Sequence, residues 1–316
     1  MKKVLIADKA DALCEKVLKE RGLEPVVKTG MKPEELKACV AQFDAIIVRS
    51  ATTLTREIIE AATNLKAVAR AGSGVDNIDV LACIDKKVLV MNTPFGNTVS
   101  TGEHAVAMMM ALARHIPQAN ASTHAGKWEK KKFEGVEITG KTLGVIGCGN
   151  IGAVVADRAM GLKMHVLVFD PVMTAERARE LGVKMVPLDE LYAKSDFITY
   201  HVTINPATKG MLNKDAIAKM KKGVRLINCA RGGIMVEADI KAALQSGQIA
   251  GLACDVYAKE PATEHPFFGM EQVICTPHIA ASTKDAQVTV ARQAAEQIAD
   301  YLLTGKRTHA VNGDKI

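Results

Sequence analysis

Three polar residues with the chemistry of proton transfer and anion binding each follow an apolar, strand-like run in the second half of the chain: Arg231, Glu260 and His278. A histidine is the usual proton donor or acceptor near neutral pH, and a neighbouring carboxylate holds its tautomer and raises its pKa. An arginine offers a planar pair of donors to a carboxylate or a carbonyl oxygen. Because parallel strands end at one edge of a sheet, we predict that the three residues form a catalytic site. Taken singly, they also fit a loop histidine, an exposed glutamate and an arginine in a surface ion pair.

A glycine-rich turn follows the apolar run Thr142–Ile146, with Gly147, Gly149 and Gly152 in G-x-G-x-x-G spacing. In this pattern the first glycine permits a tight turn and the second lets a pyrophosphate approach the backbone. The third lets the next helix lie close to the strand. That helix, predicted from about Asn150 to Met160, directs its N-terminal amides toward the phosphates. The turn alone also fits an ordinary strand-to-helix connection.

An acidic residue strengthens the dinucleotide interpretation of the turn. A second apolar strand, His165–Phe169, follows the helix and ends at Asp170, which lies about 20 residues beyond the glycines, where a carboxylate can accept hydrogen bonds from both ribose hydroxyls. Its charge would repel the 2′-phosphate of NADP. We therefore predict a binding site for NAD.

Two loops in the first hundred residues also carry anion-binding groups. Val48–Thr52 contains Arg49, and Arg70–Asp76 contains two closely spaced glycines, Gly72 and Gly74. Glycines before a helix expose backbone N–H groups to a carboxylate or a phosphate. The loops fit an ordinary strand-to-helix turn as well, but the two arginines favour an anion site.

The elements that position these residues alternate between apolar strands and helices along the whole chain. Ala45–Val48 is fully apolar, as is typical of a strand buried on both faces of a parallel sheet. We predict a helix over Val75–Asp85 and one continuous, buried helix over Ser100–Asn120. A last amphipathic helix, Asp285–Leu303, is long enough to return to the first domain. The predicted fold class is α/β, with two doubly wound parallel-sheet domains.

Composition narrows the remaining function classes. The chain has 316 residues, 48% hydrophobic and 24% charged, with a net charge of +6, which suits a globular protein of two domains. The dense basic run Lys127–Lys132 has few aromatic companions, so we predict no nucleic-acid partner. No apolar span approaches the length of a membrane helix. No cluster of histidine, cysteine and carboxylate has ligand spacing, so we predict no metal.

The cysteines and the remaining histidines give less information about function. The seven cysteines are scattered and none has C-x-x-C spacing, which indicates reduced core thiols in a cytoplasmic protein. His201 follows a strand and is a candidate to line the edge of the cofactor. The other histidines, His104 among them, are predicted to lie in elements without catalytic company.

Five stretches together resemble the D-isomer-specific 2-hydroxyacid dehydrogenase family: Val48–Thr52, Arg70–Asp79, Leu143–Gly152, Asn228–Gly233 and Thr276–His278. The resemblance extends over essentially the whole chain. It implies that a Rossmann NAD-binding domain, residues 97–282, is inserted into a flavodoxin-like substrate-binding domain formed by residues 1–96 and 283–316. An active site in the cleft between the domains is expected.

The resemblance also implies residue roles, which we carry over position by position. The catalytic set is matched by Arg231, Glu260 and His278. The positions that contact NAD are matched by Gly147, Gly149, Asn150, Ile151, Gly152, Asp170, Cys229, Ala230 and Asp255. The positions that face the substrate are matched by Arg49, Arg70, Ser73 and Gly74.

Within the family, Gly126–Phe133 and Lys222–Arg225 are similar to the branch that oxidises D-3-phosphoglycerate to 3-phosphohydroxypyruvate with NAD, at the start of serine biosynthesis. The resemblance then implies a phosphorylated hydroxy acid as substrate and a homodimer or larger homo-oligomer. Longer relatives carry a serine-binding regulatory domain, and because this sequence ends at Ile316 we expect no feedback inhibition through one. Two alternatives stay open: a glyoxylate or hydroxypyruvate reductase, and an NAD-sensing protein like the family's corepressors. The intact Arg231, Glu260 and His278 argue against the second.

Overall fold

The computed structural model describes all residues from 1 to 316 and contains twelve strands and twelve helices. The strands are β1 Lys3–Ile6, β2 Glu24–Val27, β3 Ala45–Val48, β4 Ala67–Arg70, β5 Leu89–Asn92, β6 Thr142–Ile146, β7 His165–Phe169, β8 Lys184–Met185, β9 Phe197–Tyr200, β10 Val224–Asn228, β11 Ile249–Cys254 and β12 Val273–Cys275. The helices are α1 Ala12–Glu20, α2 Pro33–Cys39, α3 Arg56–Ala61, α4 Val80–Asp85, α5 Thr98–Arg114, α6 Ile116–His124, α7 Asn150–Gly161, α8 Ala175–Leu181, α9 Leu188–Lys194, α10 Lys214–Ala218, α11 Glu237–Ser246 and α12 Lys284–Thr304. Short 3₁₀ turns lie at Val40–Gln42, Lys130–Phe133, Gly232–Ile234 and Gly313–Lys315.

The first compact unit comprises residues 1–97 and 282–316. Its five strands are all parallel, in the order β2-β1-β3-β4-β5, which is the flavodoxin-like order of a doubly wound sheet. Apolar clusters cover both faces of this sheet. Helix α12 contributes Val290, Ala294 and Ile298 to one of them, so the last long helix completes the core of the unit in which the chain begins.

The second unit, residues 98–281, has seven parallel strands in the order β12-β11-β10-β9-β6-β7-β8. The chain reverses its direction of winding between β6 and β9, which are neighbours. This is the switch point of a Rossmann sheet, where ligands bind beyond the carboxyl ends of the strands. The fold class predicted from the sequence is confirmed: both units are doubly wound α/β structures.

Two predicted helices differ from the observed ones. Helix α4 begins at Val80 instead of Val75, because Asp79 caps it by accepting from Ala82 N and Ile78 pairs with Leu54 in an isolated bridge. The predicted helix Ser100–Asn120 is two helices, broken where His115 has φ +52°. A left-handed residue cannot continue a right-handed helix, and the proline that follows at the start of α6 lacks a backbone donor.

All seven cysteines are free thiols, and five of them are buried. Five of the seven cysteines therefore lie in the core, as the apolar runs around them predict. None of the helices combines the length and the apolar character needed to cross a membrane.

Candidate active site

The loops after β11 and β12 bring Glu260 and His278 together. His278 Nδ1 lies 2.6 Å from Glu260 Oε2, and Tyr257 N donates to Glu260 Oε1 at 2.9 Å. Each oxygen of the carboxylate therefore has a donor, and the imidazole is held through Nδ1. The other ring nitrogen, Nε2, is left to exchange a proton with a ligand.

The pair shifts the acidity of both partners in the direction expected for an ion pair. The hydrogen bond that His278 donates to Glu260 raises the pKa of His278, and this outweighs the opposing effect of burial. For Glu260, burial acts to raise the pKa, but the hydrogen bonds from His278 and Tyr257 N outweigh it and the pKa is lowered. The imidazole thus stays protonated to a higher pH than a free histidine does.

Arg231 belongs to the same group of loops. It follows β10 in a turn where Asn228 Nδ2 donates to Arg231 O at 3.0 Å. The next residue must be small, because a Cβ at Gly232 would overlap the backbone of Tyr257. Arg231 is close enough for its positive charge to act against the raised pKa of His278. The structure therefore brings the three predicted catalytic residues to one edge of the sheet.

Asp255, at the end of β11, is completely buried. Its carboxylate accepts from Thr276 Oγ1 at 2.6 Å, and from Ile279 N and Ala280 N at 2.9 Å each. Burial acts to raise its pKa, but hydrogen bonds, with that from His104 first, lower it overall. This corrects the prediction for His104: its Nε2 lies 3.5 Å from Asp255 Oδ1.

The glycine turn joins β6 to α7 and leaves room on one side. Gly147 has φ +83°, a conformation that favours glycine, and a Cβ on Gly152 would overlap Gly147 O. A Cβ on Gly149, in contrast, would meet no protein atom within 4 Å. Gly149 caps α7 and Asn150 begins it, so the open side faces the N-terminal amides of a helix. A pyrophosphate group fits this arrangement.

Asp170 ends β7 beside the turn. Its Oδ2 accepts from Cys148 N at 2.8 Å and its Oδ1 accepts from Val172 N at 2.9 Å. A carboxylate has about four acceptor positions, so two backbone donors leave capacity for ribose hydroxyls. Asp170 therefore also holds the glycine turn, a role that the sequence did not indicate.

Other residues predicted to contact the cofactor lie along the same edge. Cys229 and Ala230 follow β10 and are buried, and burial raises the pKa of the Cys229 thiol well above its usual value, so it is neutral near pH 7. His201 pairs with Thr199 Oγ1 at 2.8 Å, and burial lowers its pKa to about 4. Ile151 is half-buried in the first turn of α7.

In the first unit, the loop after β3 is fixed by two residues that the sequence did not single out. Asp8 is buried, and its carboxylate accepts from Arg49 N and from Thr52 N and Oγ1. Asn77 Nδ2 donates to Arg49 O at 2.8 Å and to Thr52 O at 2.6 Å. The guanidinium of Arg49 donates to Lys9 O at 3.0 Å. The backbone of Arg49 is therefore held from both sides.

The loop after β4 carries the other predicted substrate residues. Arg70 folds over Gly72, where a Cβ would collide with the guanidinium. Ser73 Oγ donates to Asn97 Oδ1 at 2.6 Å, and Asn92 Nδ2 donates to Ser73 O at 2.6 Å. Gly74 follows and is half-buried. Since β3, β4 and β5 are neighbours, these loops share the carboxyl edge of the five-stranded sheet.

The basic run Lys127–Lys132 lies in the second unit. Lys132 Nζ forms an ion pair with Glu271 Oε1 at 2.9 Å. Nearby, Ser122 Oγ donates to Glu129 Oε2 at 2.6 Å. Within the chain, Lys127–Lys132 is therefore a solvent-exposed surface whose positive charge is partly balanced by Glu271.

Similarity to known proteins agrees with this geometry. Residues 106–280 match the family model described as "D-isomer specific 2-hydroxyacid dehydrogenase, NAD binding domain". D-3-phosphoglycerate dehydrogenase of Archaeoglobus fulgidus is 48% identical over 98% of the chain, and that of Homo sapiens is 46% identical over 100%. The chain spans 59% of the length of each of these relatives. A glyoxylate reductase from Paecilomyes thermophila has a similar structure, with a TM-score of 0.91 at 25% identity, covering 99% of both chains.

Proposed function

Because the chain belongs to the D-isomer-specific 2-hydroxyacid dehydrogenase family, we propose that it oxidises D-3-phosphoglycerate to 3-phosphohydroxypyruvate, the first step of serine biosynthesis, with NAD as its cofactor. The observation that carries the proposal is the His278–Glu260 pair, 2.6 Å apart, in the unit that also holds the glycine turn. The choice of substrate is supported by identities of 46–48%, over nearly the whole chain, to relatives named for that reaction.

The proton is handled by His278. In the neutral imidazole, Nδ1–H donates to Glu260 Oε2, so the lone pair on Nε2 accepts the proton of the C2 hydroxyl group. Glu260 then stabilises the imidazolium that forms. In the reverse direction the same imidazolium returns the proton to the carbonyl oxygen. Arg231 offers its planar donors to the carboxylate and the carbonyl oxygen of the substrate, which orients C2.

NAD, when bound, supplies a nicotinamide ring that accepts the hydride from C2. We propose that the residues that hold the cofactor are Gly147, Gly149, Asn150, Ile151, Gly152, Asp170, Cys229, Ala230 and Asp255. The free space at Gly149 and the amides of α7 receive the pyrophosphate. The carboxylate of Asp170 accepts from the adenosine ribose and repels the 2′-phosphate of NADP. The second unit, with these residues, is accordingly assigned to the cofactor.

The first unit is assigned to the substrate. Arg49 and Arg70 provide the positive charge for the phosphate group, and the backbone at Ser73 and Gly74 provides donors for the carboxylate. Asp8 and Asn77 keep the Arg49 loop in one conformation before the substrate arrives. This preorganisation lowers the ordering cost of binding a small anion.

Initial rates with a panel of acids test the proposal. Oxidation of D-3-phosphoglycerate is compared with oxidation of unphosphorylated D-glycerate, each with NAD and with NADP. The proposal predicts the highest kcat/KM for D-3-phosphoglycerate with NAD. Equal rates with the two acids would contradict the phosphate site, and a preference for NADP would contradict the role of Asp170.

A second candidate function is the reduction of glyoxylate or hydroxypyruvate. It is favoured by the structural similarity to a glyoxylate reductase at a TM-score of 0.91, and it needs no phosphate site. Reduction of both keto acids with NADH belongs in the same panel. A kcat/KM for glyoxylate above that for 3-phosphohydroxypyruvate would select this alternative.

We also propose a cytoplasmic homodimer. Helix α6 contains no buried residue, and Trp128, four residues after its end, is 88% exposed, so this surface is available to a partner subunit. The free thiols support a reducing compartment. Light scattering of the purified protein, with Trp128→Glu beside the wild type, tests the assembly. A monomeric wild type would contradict it.

A further inference from the structure

Helix α5 brings a second histidine toward the loop that carries His278. His104 Nε2 lies 3.5 Å from Asp255 Oδ1 and 3.3 Å from Thr276 Oγ1. The side chain of His104 is 18% exposed and that of Asp255 is fully buried. All three residues belong to the second unit. The contact therefore lies inside one compact body and reaches Thr276, two residues before His278 in the chain.

The Asp255 carboxylate holds this loop in place. It accepts from the side chain of Thr276 and from the backbone N–H groups of Ile279 and Ala280, on both sides of His278. His278 itself has φ +52°, a region that non-glycine residues occupy only when their surroundings compensate for the strain. The three hydrogen bonds to Asp255 supply that compensation, so the orientation of His278 depends on Asp255.

We propose that His104 is a positioning residue for His278: its Nε2 donates to Thr276 Oγ1, which itself donates to Asp255 Oδ1, and it lies 3.5 Å from that carboxylate oxygen. His104 thereby controls the charge and orientation of the carboxylate that anchors the His278 loop. This rests on the proposed function of His278 as the acid–base group. His104 contacts neither Glu260 nor His278 in any hydrogen bond of the structure. Its effect is therefore transmitted through Asp255 and Thr276.

The charges around His278 fix the sign of the expected effect. His278 faces Glu260 and Asp255, which raise its pKa, and Arg231, which lowers it. The other titratable neighbours of Asp255 stay neutral near pH 7, because burial raises the pKa of each: Cys229, Cys254 and Tyr257. A donor on Asp255 withdraws part of its negative charge from His278. Removal of the His104 donor should therefore raise the pKa of His278.

The test is an NMR titration of isotope-labelled histidine in the full chain, without substrate or cofactor. Wild type is compared with His104→Phe, which keeps a ring but loses the donor, and with His104→Gln, which keeps a donor of similar reach. We expect His104→Phe to raise the pKa of His278 and His104→Gln to leave it close to wild type. In turnover, His104→Phe should lower kcat on the order of 10-fold, less than the 100-fold that a misplacement of 1 Å causes. The KM for substrate should stay nearly constant, and His104→Gln should restore most of kcat.

A double-mutant cycle identifies the route. Asp255→Asn removes the carboxylate charge and should lower the pKa of His278, and His104→Phe should then have no further effect. An identical His278 titration in wild type, His104→Phe and His104→Gln would overturn the proposal, as would an undiminished His104→Phe effect in the Asp255→Asn background. If His104→Phe does not fold, His104→Asn, whose amide is too short to reach Asp255, replaces it. Because the titration needs no turnover, it remains informative if the chain does not oxidise D-3-phosphoglycerate.

Discussion

Glu260 and His278 are joined by a hydrogen bond of 2.6 Å, although 18 residues separate them in the chain. A second histidine–carboxylate pair lies elsewhere in the same unit, where His265 Nε2 is 3.0 Å from Glu237 Oε1. The two pairs differ in exposure: the His278 side chain is 48% exposed and the His265 side chain 6%. An exposed pair can reach a ligand, whereas His265 is enclosed by aromatic rings. The contrast provides a control for the first prediction.

Glu260→Gln should move both pH profiles to lower pH. The variant keeps the shape of the side chain but removes the charge that raises the pKa of His278, so that pKa should fall toward the value of a free histidine. Oxidation needs neutral His278, so its activity should persist to lower pH. Reduction needs protonated His278, so the loss of reductive activity at high pH should begin at a lower pH than in the wild type. Profiles of kcat/KM measure both limbs.

The matched control is Glu237→Gln, which neutralises the other histidine–carboxylate pair. It should leave both pH profiles in their wild-type positions. Unchanged profiles in Glu260→Gln would mean that Glu260 does not set the pKa of His278.

His278→Asn should remove most turnover in both directions and leave NAD binding nearly intact. The replacement suits the backbone, because asparagine tolerates the left-handed conformation that His278 adopts at φ +52°. Loss of a general acid–base group costs about 10²- to 10⁴-fold in rate. Steady-state rates and the Kd for NAD, measured by fluorescence, separate the two effects. If the variant kept more than about a tenth of the wild-type kcat, His278 would be excluded as the proton carrier, because a loss of less than about 10-fold is smaller than the loss expected for a general acid–base group.

Gly149→Ala should fold normally and yet bind NAD poorly. The added Cβ meets no protein atom within 4 Å, so the melting temperature should be unchanged. It occupies the space assigned to the pyrophosphate, and losing charge-assisted hydrogen bonds there costs about 1.5–3 kcal/mol, or about 10- to 150-fold in Kd. Calorimetric titration with NAD and thermal unfolding measure the two quantities.

The comparison variant is Gly152→Ala, whose Cβ would overlap Gly147 O inside the protein. It should lower the free energy of unfolding by about 1–3 kcal/mol. Wild-type NAD affinity in Gly149→Ala would contradict the assignment of the turn.

Arg49→Ala should discriminate between phosphorylated and unphosphorylated acids. Loss of a charge-assisted hydrogen bond costs about 1.5–3 kcal/mol, so kcat/KM for D-3-phosphoglycerate should fall by about 10- to 150-fold. The value for D-glycerate should change little. Because Asp8 and Asn77 hold the Arg49 loop through backbone atoms, the loop should keep its shape. Arg56→Ala, which removes an exposed arginine paired with Asp85, should affect neither acid. Equal losses with both acids would assign Arg49 a structural role.

Local patterns in the sequence were sufficient for most of the fold. The strands Ala45–Val48 and His165–Phe169 have the predicted bounds, because a continuous apolar run of four or five residues between turns has few other uses in a parallel sheet. The predicted helix bounds were wrong where hydrophobic periodicity did not determine the start or the end of the helix. The left-handed backbone conformation of His115 breaks the predicted long helix. The cap that Asp79 forms makes α4 begin later than predicted.

The proximity of the three predicted catalytic residues could be inferred from the strand pattern alone. The end of each parallel strand is predictable, and all such ends share one edge, so Arg231, Glu260 and His278 had to approach each other. The spacing of Gly147, Gly149 and Gly152 likewise predicts the turn, because the backbone conformation at Gly147 and the close backbone contact at Gly152 favour glycine. These are consequences of chain connectivity and do not depend on side-chain packing.

Tertiary structure alone decided which polar residues support the site. Asp8 reaches the Arg49 loop across 41 residues, and His104 meets Thr276 across 172. No local pattern distinguishes a helical histidine that points toward a buried carboxylate from one that points toward solvent. Such pairs form because packing of α5 against the seven-stranded sheet brings their side chains together, and a buried carboxylate such as Asp255 must then find donors among whatever groups surround it.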